Sequence, residues 1–332
     1  MDSKDPIIWI HDQNRLLLDR LLLPLEKSHP QLYERFICPL KSLAGDAFCK
    51  GIASIYINNI ISIHPFPLFS SIEIETINPC NNDCSFCPVS RGQDPRPYRL
   101  MDRKLFMSII YQLKELEYSG AICLFSNNEP LLDRRMVEMN RIARNALPDA
   151  HLYLYTNGKL LTVDIFLRLM DHLNSIVIDN YSDDLTLNPP VQEIYSLVRD
   201  DRDFRGRVLI QVIRRRAIRS TRGGQAGNRG RVFLLRSSCL LPFTQLVVRP
   251  DGKVSLCCQD ALGRFTLGDL MKQSILDVWN GNAYWGIRNK MLRGRHSLDF
   301  CRRCDHFHYP EVPYFLARLG KTAEGSEKVA GW

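Results

Sequence analysis

The chain has 332 residues, 45% hydrophobic and 24% charged, the balance of a soluble globular protein with room for one large domain or a large and a small one. The longest apolar stretch, residues 51–64, is broken by Asn58-Asn59 and is too short to cross a bilayer, so no membrane role is expected. Net charge is +8, and residues 205–236 alone hold ten arginines and no acidic residue. That segment either attracts an anionic substrate or is a solvated loop, and without interleaved aromatics it does not read as a nucleic-acid site.

Residues 1–70 carry no metal motif and read as an N-terminal cap, with helical patterns over 15–25 and 32–43 and β-branched strand character over 52–63. Pro65 and Pro67 punctuate the entry to the next unit. From residue 71 the pattern alternates. Strands are predicted over 71–77, 121–125, 151–155, 175–179 and 208–213, with helices after Asp102 and over 134–147, 163–173 and 191–199. Such alternation argues an α/β fold built on a parallel sheet, a full or partial (βα) barrel over 71–235. Chemistry in such barrels gathers at the C-terminal strand ends. After residue 236 the alternation stops. Strands over 246–249 and 253–257 flank Pro250-Asp251-Gly252, a hairpin signal, followed by helices over 274–279 and 284–293. This is a small α+β domain over 236–310, and 311–332 read as a tail.

Three cysteines, Cys80, Cys84 and Cys87, crowd one loop at the end of the first predicted barrel strand with C-x3-C-x2-C spacing. A structural zinc site normally closes with four ligands, whereas three thiolates suit an iron–sulfur cluster with one iron left open for chemistry. The eleven cysteines follow an N-terminus that bears acids and lacks an apolar core with a cleavage site. A cytoplasmic, reducing setting is therefore expected. Five more cysteines, Cys239, Cys257, Cys258, Cys301 and Cys304, lie in the C-terminal unit and supply a fully ligated second site, for which spacing alone leaves zinc and a cluster open. Cys38, Cys49 and Cys123 are expected to pack as small hydrophobes.

The Cys80–Cys84–Cys87 spacing after a strand resembles the signature of the radical S-adenosylmethionine (radical SAM) superfamily, in which the open iron chelates the amino and carboxylate groups of SAM. The C-terminal unit is similar to the auxiliary-cluster module of that family, called twitch or, in its longer form, SPASM. The matching features are the 17 residues between Cys239 and Cys257, the Pro-Asp-Gly hairpin, Leu267-Gly268-Asp269-Leu270, Val278-Trp279-Asn280 and Cys301-Arg302-Arg303-Cys304. The resemblance implies a partial (βα)6 barrel over 71–235 and a second 4Fe–4S cluster on Cys239, Cys257, Cys301 and Cys304, leaving Cys258 as a spare thiol and a candidate hydrogen-atom donor. Its layout is similar to that of a family member that dehydrogenates an aminocyclitol.

For SAM, the family's Gly-Gly-Glu-Pro-like motif corresponds to Asn127-Asn128-Glu129-Pro130, with asparagines for the glycines. Asparagine still tolerates left-handed backbone, and Glu129 keeps the carboxylate that would accept the SAM ammonium. Asn128, Glu129, Thr156, Asn157, Gln211 and Arg214 are the candidate SAM contacts, and Asp179 and Tyr181 candidate substrate neighbours. The implied function is oxidation or epimerisation of a sugar or aminocyclitol in natural-product assembly. The competing reading is crosslinking or epimerisation of a ribosomally made peptide. Either requires an electron donor such as flavodoxin or ferredoxin.

Overall fold

The protein is described by a computed structural model covering residues 7–10, 57–217, 220–227 and 236–306. The helices expected at 15–25 and 32–43, Cys38, Cys49 and the tail lie outside these residues. Nine strands form one continuous sheet: β1 (Ile8–Ile10), β2 (Ser71–Ile74), β3 (Ala121–Cys123), β4 (His151–Thr156), β5 (Ser175–Tyr181), β6 (Val208–Ile213), β7 (Gln245–Val248), β8 (Lys253–Ser255) and β9 (Thr266–Asp269). Their order is β1-β6-β5-β4-β3-β2-β7-β8-β9. Neighbours from β1 through β7 pair parallel, while β8 and β9 are antiparallel. Among the described residues the sheet does not close, so the barrel is partial, with β1 at one edge and β9 at the other.

Helices α1 (Arg103–Glu115), α2 (Met136–Ala146), α3 (Val163–Met170) and α4 (Pro189–Val198) alternate with β2 to β6. The Asp102 carboxylate accepts the Lys104 N–H at 2.7 Å to start α1. Its Leu105, Phe106, Ile109, Ile110 and Leu113 form the stripe buried on the sheet. Thr162 caps α3, and Pro189 opens α4 where its missing N–H costs nothing. The main core lies between these helices and the outer face of the sheet. Alternate strand residues face the other way. There Cys123, Tyr153 and Val177 pack with Phe125, Tyr155 and Leu209 on the concave face, Cys123 as the small hydrophobe expected of it.

Two elements depart from the sequence pattern. Ile8–Ile10 joins the sheet beside β6, a strand not anticipated within the N-terminal cap. Residues 57–61 are helical, not extended. Ile57, Ile60 and Ile61 recur at i, i+3 and i+4, and that spacing lets one helical face pack on Leu240, Leu241 and Phe243.

The C-terminal unit adds α5 (Leu241–Thr244), α6 (Ile275–Trp279) and α7 (Asn282–Leu292). Ser274 and Asp277 form a capping box at the start of α6. Arg288 on α7 is fully buried, 4.3 Å from the Phe66 ring centroid and 4.1 Å from that of Trp279. Its Nε donates to the Pro242 carbonyl at 3.0 Å, and Trp279 donates to the Pro67 carbonyl at 2.9 Å. This aromatic cage fastens the segment leading into β2 to the C-terminal unit.

Candidate active site

Because β2 to β6 run parallel, their C-terminal ends share one edge of the sheet. The cysteine loop leaves β2 there. It folds by successive turns, with Cys87 N–H donating to the Cys84 carbonyl and Ser90 N–H to the Cys87 carbonyl, each at 3.2 Å. Asp83 and Ser85 of the loop are held by Arg215, which follows β6: Ser85 N–H donates to the Arg215 carbonyl at 3.0 Å. Burial pushes the Cys80 thiol up to about 12 and that of Cys84 up as well, and the neighbouring thiols add to both shifts. Such a trio holds its thiolates only with positive charge in its midst.

The Ser126-Asn127-Asn128-Glu129 segment lies alongside. Glu129 N–H donates to the Pro79 carbonyl at 3.0 Å, which fixes it to the cysteine loop. The Glu129 carboxylate is buried and accepts from Thr156 Oγ1 at 2.7 Å, Leu131 N at 3.0 Å and Asn157 N at 2.7 Å. Burial raises it to about 7 against the pull of these donors. A carboxylate has room for about four hydrogen bonds, so one lone pair remains for a ligand. Asn157 in turn donates to Asn81 Oδ1 at 2.7 Å, tying the end of β4 to the cysteine loop. Gly158 follows with φ at 75°, where a Cβ would lie 2.5 Å from Val191 Cγ2, so the turn requires glycine. Asn127 and Asn128 avoid the left-handed region altogether; their tolerance of it is not used. Asn128 Oδ1 accepts from Ser126 N–H at 3.2 Å, and its buried Nδ2 has no hydrogen-bond partner among the described residues.

These parts line an open cleft whose wall includes Cys80, Cys84, Cys87, Asn128, Glu129, Thr156, Asn157, Asp179 and Tyr181. Gln211 and Arg214 are not in that wall. Gln211 faces the concave side of β6, paired in register with Asp179, whereas the Arg214 guanidinium turns to the Asp183 carbonyl. Phe125, Tyr155 and Arg222 are among the wall residues that escaped the sequence reading. Phe125 and Tyr155 follow from strand alternation once register is known. Arg222 does not, because a turn far from the strands delivers it.

That turn is strongly built. Arg222 and Gly223 have φ of 50° and 60°, and a Cβ at Gly223 would lie 2.2 Å from the Phe300 ring. Thr221 donates from N to Asp305 Oδ1 at 2.8 Å and from Oγ1 to the Arg303 carbonyl at 2.6 Å. Arg222 Nη1 then reaches Asn127 Oδ1 at 2.6 Å and the Cys258 carbonyl at 3.0 Å. A segment seated on the second cysteine group thus places a guanidinium in the first cleft.

The second group, Cys239, Cys257, Cys301 and Cys304, lines a small pocket together with Arg295 and His306. Cys258 is in neither wall. Its thiol accepts from Gln259 Nε2 at 3.6 Å, and burial pushes it up to about 12, the Glu73 charge adding to the shift. Among the described residues no three His, Cys, Asp or Glu side chains converge to hold a single metal ion. Zinc gathers thiolates to about 2.3 Å from one centre, whereas a cluster spreads its irons over a larger body. Two cysteine-ringed pockets of this kind fit clusters better than lone zinc.

Residues 74–203 match the model of the radical SAM superfamily, and residues 239–305 that of an iron–sulfur cluster-binding domain, SPASM. The S-adenosyl-L-methionine-dependent 2-deoxy-scyllo-inosamine dehydrogenase of Niallia circulans is 26% identical over 241 residues, 72% of this chain and 94% of that enzyme. The crystal structure of BtrN in complex with AdoMet and 2-DOIA matches with a TM-score of 0.64 at 25% identity, covering 72% of this chain and 94% of that one. BtrN in an open conformation matches at 0.54 and 23% identity, with the same coverage. Fold and site together define a two-cluster oxidoreductase with a partial barrel. Residues 74–203 are thus a radical SAM domain and residues 239–305 a SPASM-type domain, and the two imply SAM, a SAM-binding 4Fe–4S cluster and an auxiliary iron–sulfur cluster as cofactors.

Proposed function

We propose that this enzyme dehydrogenates a carbinol carbon of an aminocyclitol or a related sugar. The observation that carries the proposal is the Thr221–Gly223 turn, which rests on the second cysteine group and projects Arg222 into the cleft of the first. In this reading Cys80, Cys84 and Cys87 hold the SAM-binding cluster, and Cys239, Cys257, Cys301 and Cys304 hold a single auxiliary 4Fe–4S cluster. With one electron from a donor such as flavodoxin or ferredoxin, SAM on its cluster supplies the 5′-deoxyadenosyl radical that removes a hydrogen atom from the substrate.

The chain's own residues do the rest. Glu129 offers its remaining lone pair to the SAM ammonium, Asn128 its unpartnered Nδ2–H to the SAM carboxylate, and Thr156 and Asn157 keep Glu129 in place. Arg222, braced by Asn127, presents its other N–H groups to substrate hydroxyls, with Asp179 and Tyr181 across the cleft to meet an amino group. Tyr155 and Phe125, ring centroids 5.5 Å apart, close the floor against water. Gln211 and Arg214 serve at most as supports behind the wall. Oxygen-sensitive clusters of this kind suit a cytoplasmic setting.

Epimerisation requires a thiol at the cleft. Cys258 is the candidate, and its absence from the wall favours dehydrogenation. Anaerobic incubation of cluster-loaded enzyme with SAM, a reductant and 2-deoxy-scyllo-inosamine tests the choice by mass spectrometry. A product two hydrogens lighter is expected; an isomer of unchanged mass, lost in Cys258→Ala, would establish epimerisation instead.

A further inference from the structure

Arg295 has no part in the reaction as described, yet it is 2% exposed and lines the same pocket as Cys239, Cys257, Cys301 and Cys304. Burying a guanidinium is costly unless an opposite charge and hydrogen bonds compensate it. Its Nη1 donates to the His306 carbonyl at 2.7 Å, while its Nε is buried with no hydrogen-bond partner among the described residues. Among the described residues no carboxylate forms an ion pair with it. The two carboxylates near this cysteine group are engaged elsewhere: Asp260 accepts from Gln225 Nε2, Arg264 N and Phe265 N, each at 2.9 Å, and Asp305 accepts from Thr221 N at 2.8 Å. The groups that Arg295 shares its pocket with, and that would carry negative charge as ligands, are the four cysteines.

We propose that Arg295 is a positioning residue for electron transfer: its buried charge and unpartnered Nε–H act on the auxiliary cluster and raise that cluster's reduction potential. Reduction adds one negative charge to a cluster, and a fixed cation beside it favours the reduced form. Charge and hydrogen bonds to sulfur are among the levers that set such potentials. This has a use under the dehydrogenase reading, on which the purpose, though not the electrostatics, rests. After loss of a hydrogen atom, a carbinol radical becomes a carbonyl by giving up one electron and its hydroxyl proton. The electron goes to the auxiliary cluster and the proton to solvent or a nearby base. A cluster made easier to reduce accepts that electron more readily.

The test needs no substrate. Full-length protein with Cys80, Cys84 and Cys87 changed to alanine keeps the second cluster alone, and its potential is read by anaerobic titration followed by electron paramagnetic resonance. Arg295→Gln is expected to retain iron and to disfavour reduction at least tenfold, about 59 mV for one electron. Arg295→Lys, which keeps the charge and loses the fork of donors, is expected between the two. Equal potentials in Arg295→Gln and its parent overturn the proposal. If Arg295→Gln fails to load iron, Arg295→Lys decides: a potential below the parent's supports it, and one equal or higher overturns it. Should the potentials shift as stated while no product two hydrogens lighter forms, the dehydrogenase reading falls and the assignment of Arg295 stands.

Discussion

Glu129 shows how much one side chain can organise. Its carboxylate gathers the Thr156 hydroxyl and the Asn157 and Leu131 amides, linking the ends of β3 and β4 beside the cysteine loop. Glu129→Gln sets an amide N–H against one of those donors and strands a buried group, a cost of about 1–3 kcal/mol. SAM affinity, measured by equilibrium dialysis on cluster-loaded protein, should fall by roughly tenfold or more; unchanged affinity would remove Glu129 from the SAM site. Cys80→Ala should lose about four irons of eight, those of one cluster, with SAM cleavage abolished. At this scale the sequence was legible where chemistry is local. Three cysteines within one loop, and a Glu-Pro after a strand, state their purpose by spacing. Arg222 was hidden because it reaches the cleft from a left-handed turn, and nothing in an arginine-rich run distinguishes it from Arg214, which faces the Asp183 carbonyl.

The elements were legible wherever burial follows a period. Helix α1 and strand β6 were readable because their apolar residues recur at helical and extended spacing over several turns or pleats. β1 has three residues, too few to show a period, and joins the sheet from far away in sequence. Residues 57–61 mislead because β-branched composition and helical spacing disagree there, and packing on the C-terminal unit decides in favour of spacing. Strand β2 also carries a hidden charge. Glu73 points to the concave side, accepts from Gln245 Nε2 at 3.0 Å, and is held up to about 7 by burial, against an ordinary 4.5. Its neutral form is favoured by the fold. The folded state therefore binds the extra proton between these two values, and stability falls as pH rises through that window. Glu73→Gln removes this residue's share of the dependence and should gain about 2 kcal/mol on the parent between about pH 5.5 and pH 8. Denaturation midpoints at the two pH values check this; parallel changes in both proteins would contradict it.

Across the whole molecule, the two cysteine groups are joined by structure that neither unit owns. Strand β7 of the C-terminal unit pairs parallel with β2, whose end carries the cysteine loop. The Arg222 turn bridges the same two regions from the other side, through Asp305 and the Arg303 carbonyl to Asn127. The alternation of strands and helices announced the barrel, and the spaced cysteines announced the second centre. Their mutual placement was not readable, because the sheet contact and the turn are both long-range. This placement bears on the central claim, that hydrogen is taken from a substrate carbon in the cleft beside the first cysteine group. The most direct measurement uses 2-deoxy-scyllo-inosamine deuterated at its ring carbons, incubated anaerobically with the cluster-loaded enzyme, SAM and a reductant. The account predicts 5′-deoxyadenosine carrying one deuterium, formed with a keto product in equal amount. Unlabelled 5′-deoxyadenosine, or none above the level of Cys80→Ala, would contradict it.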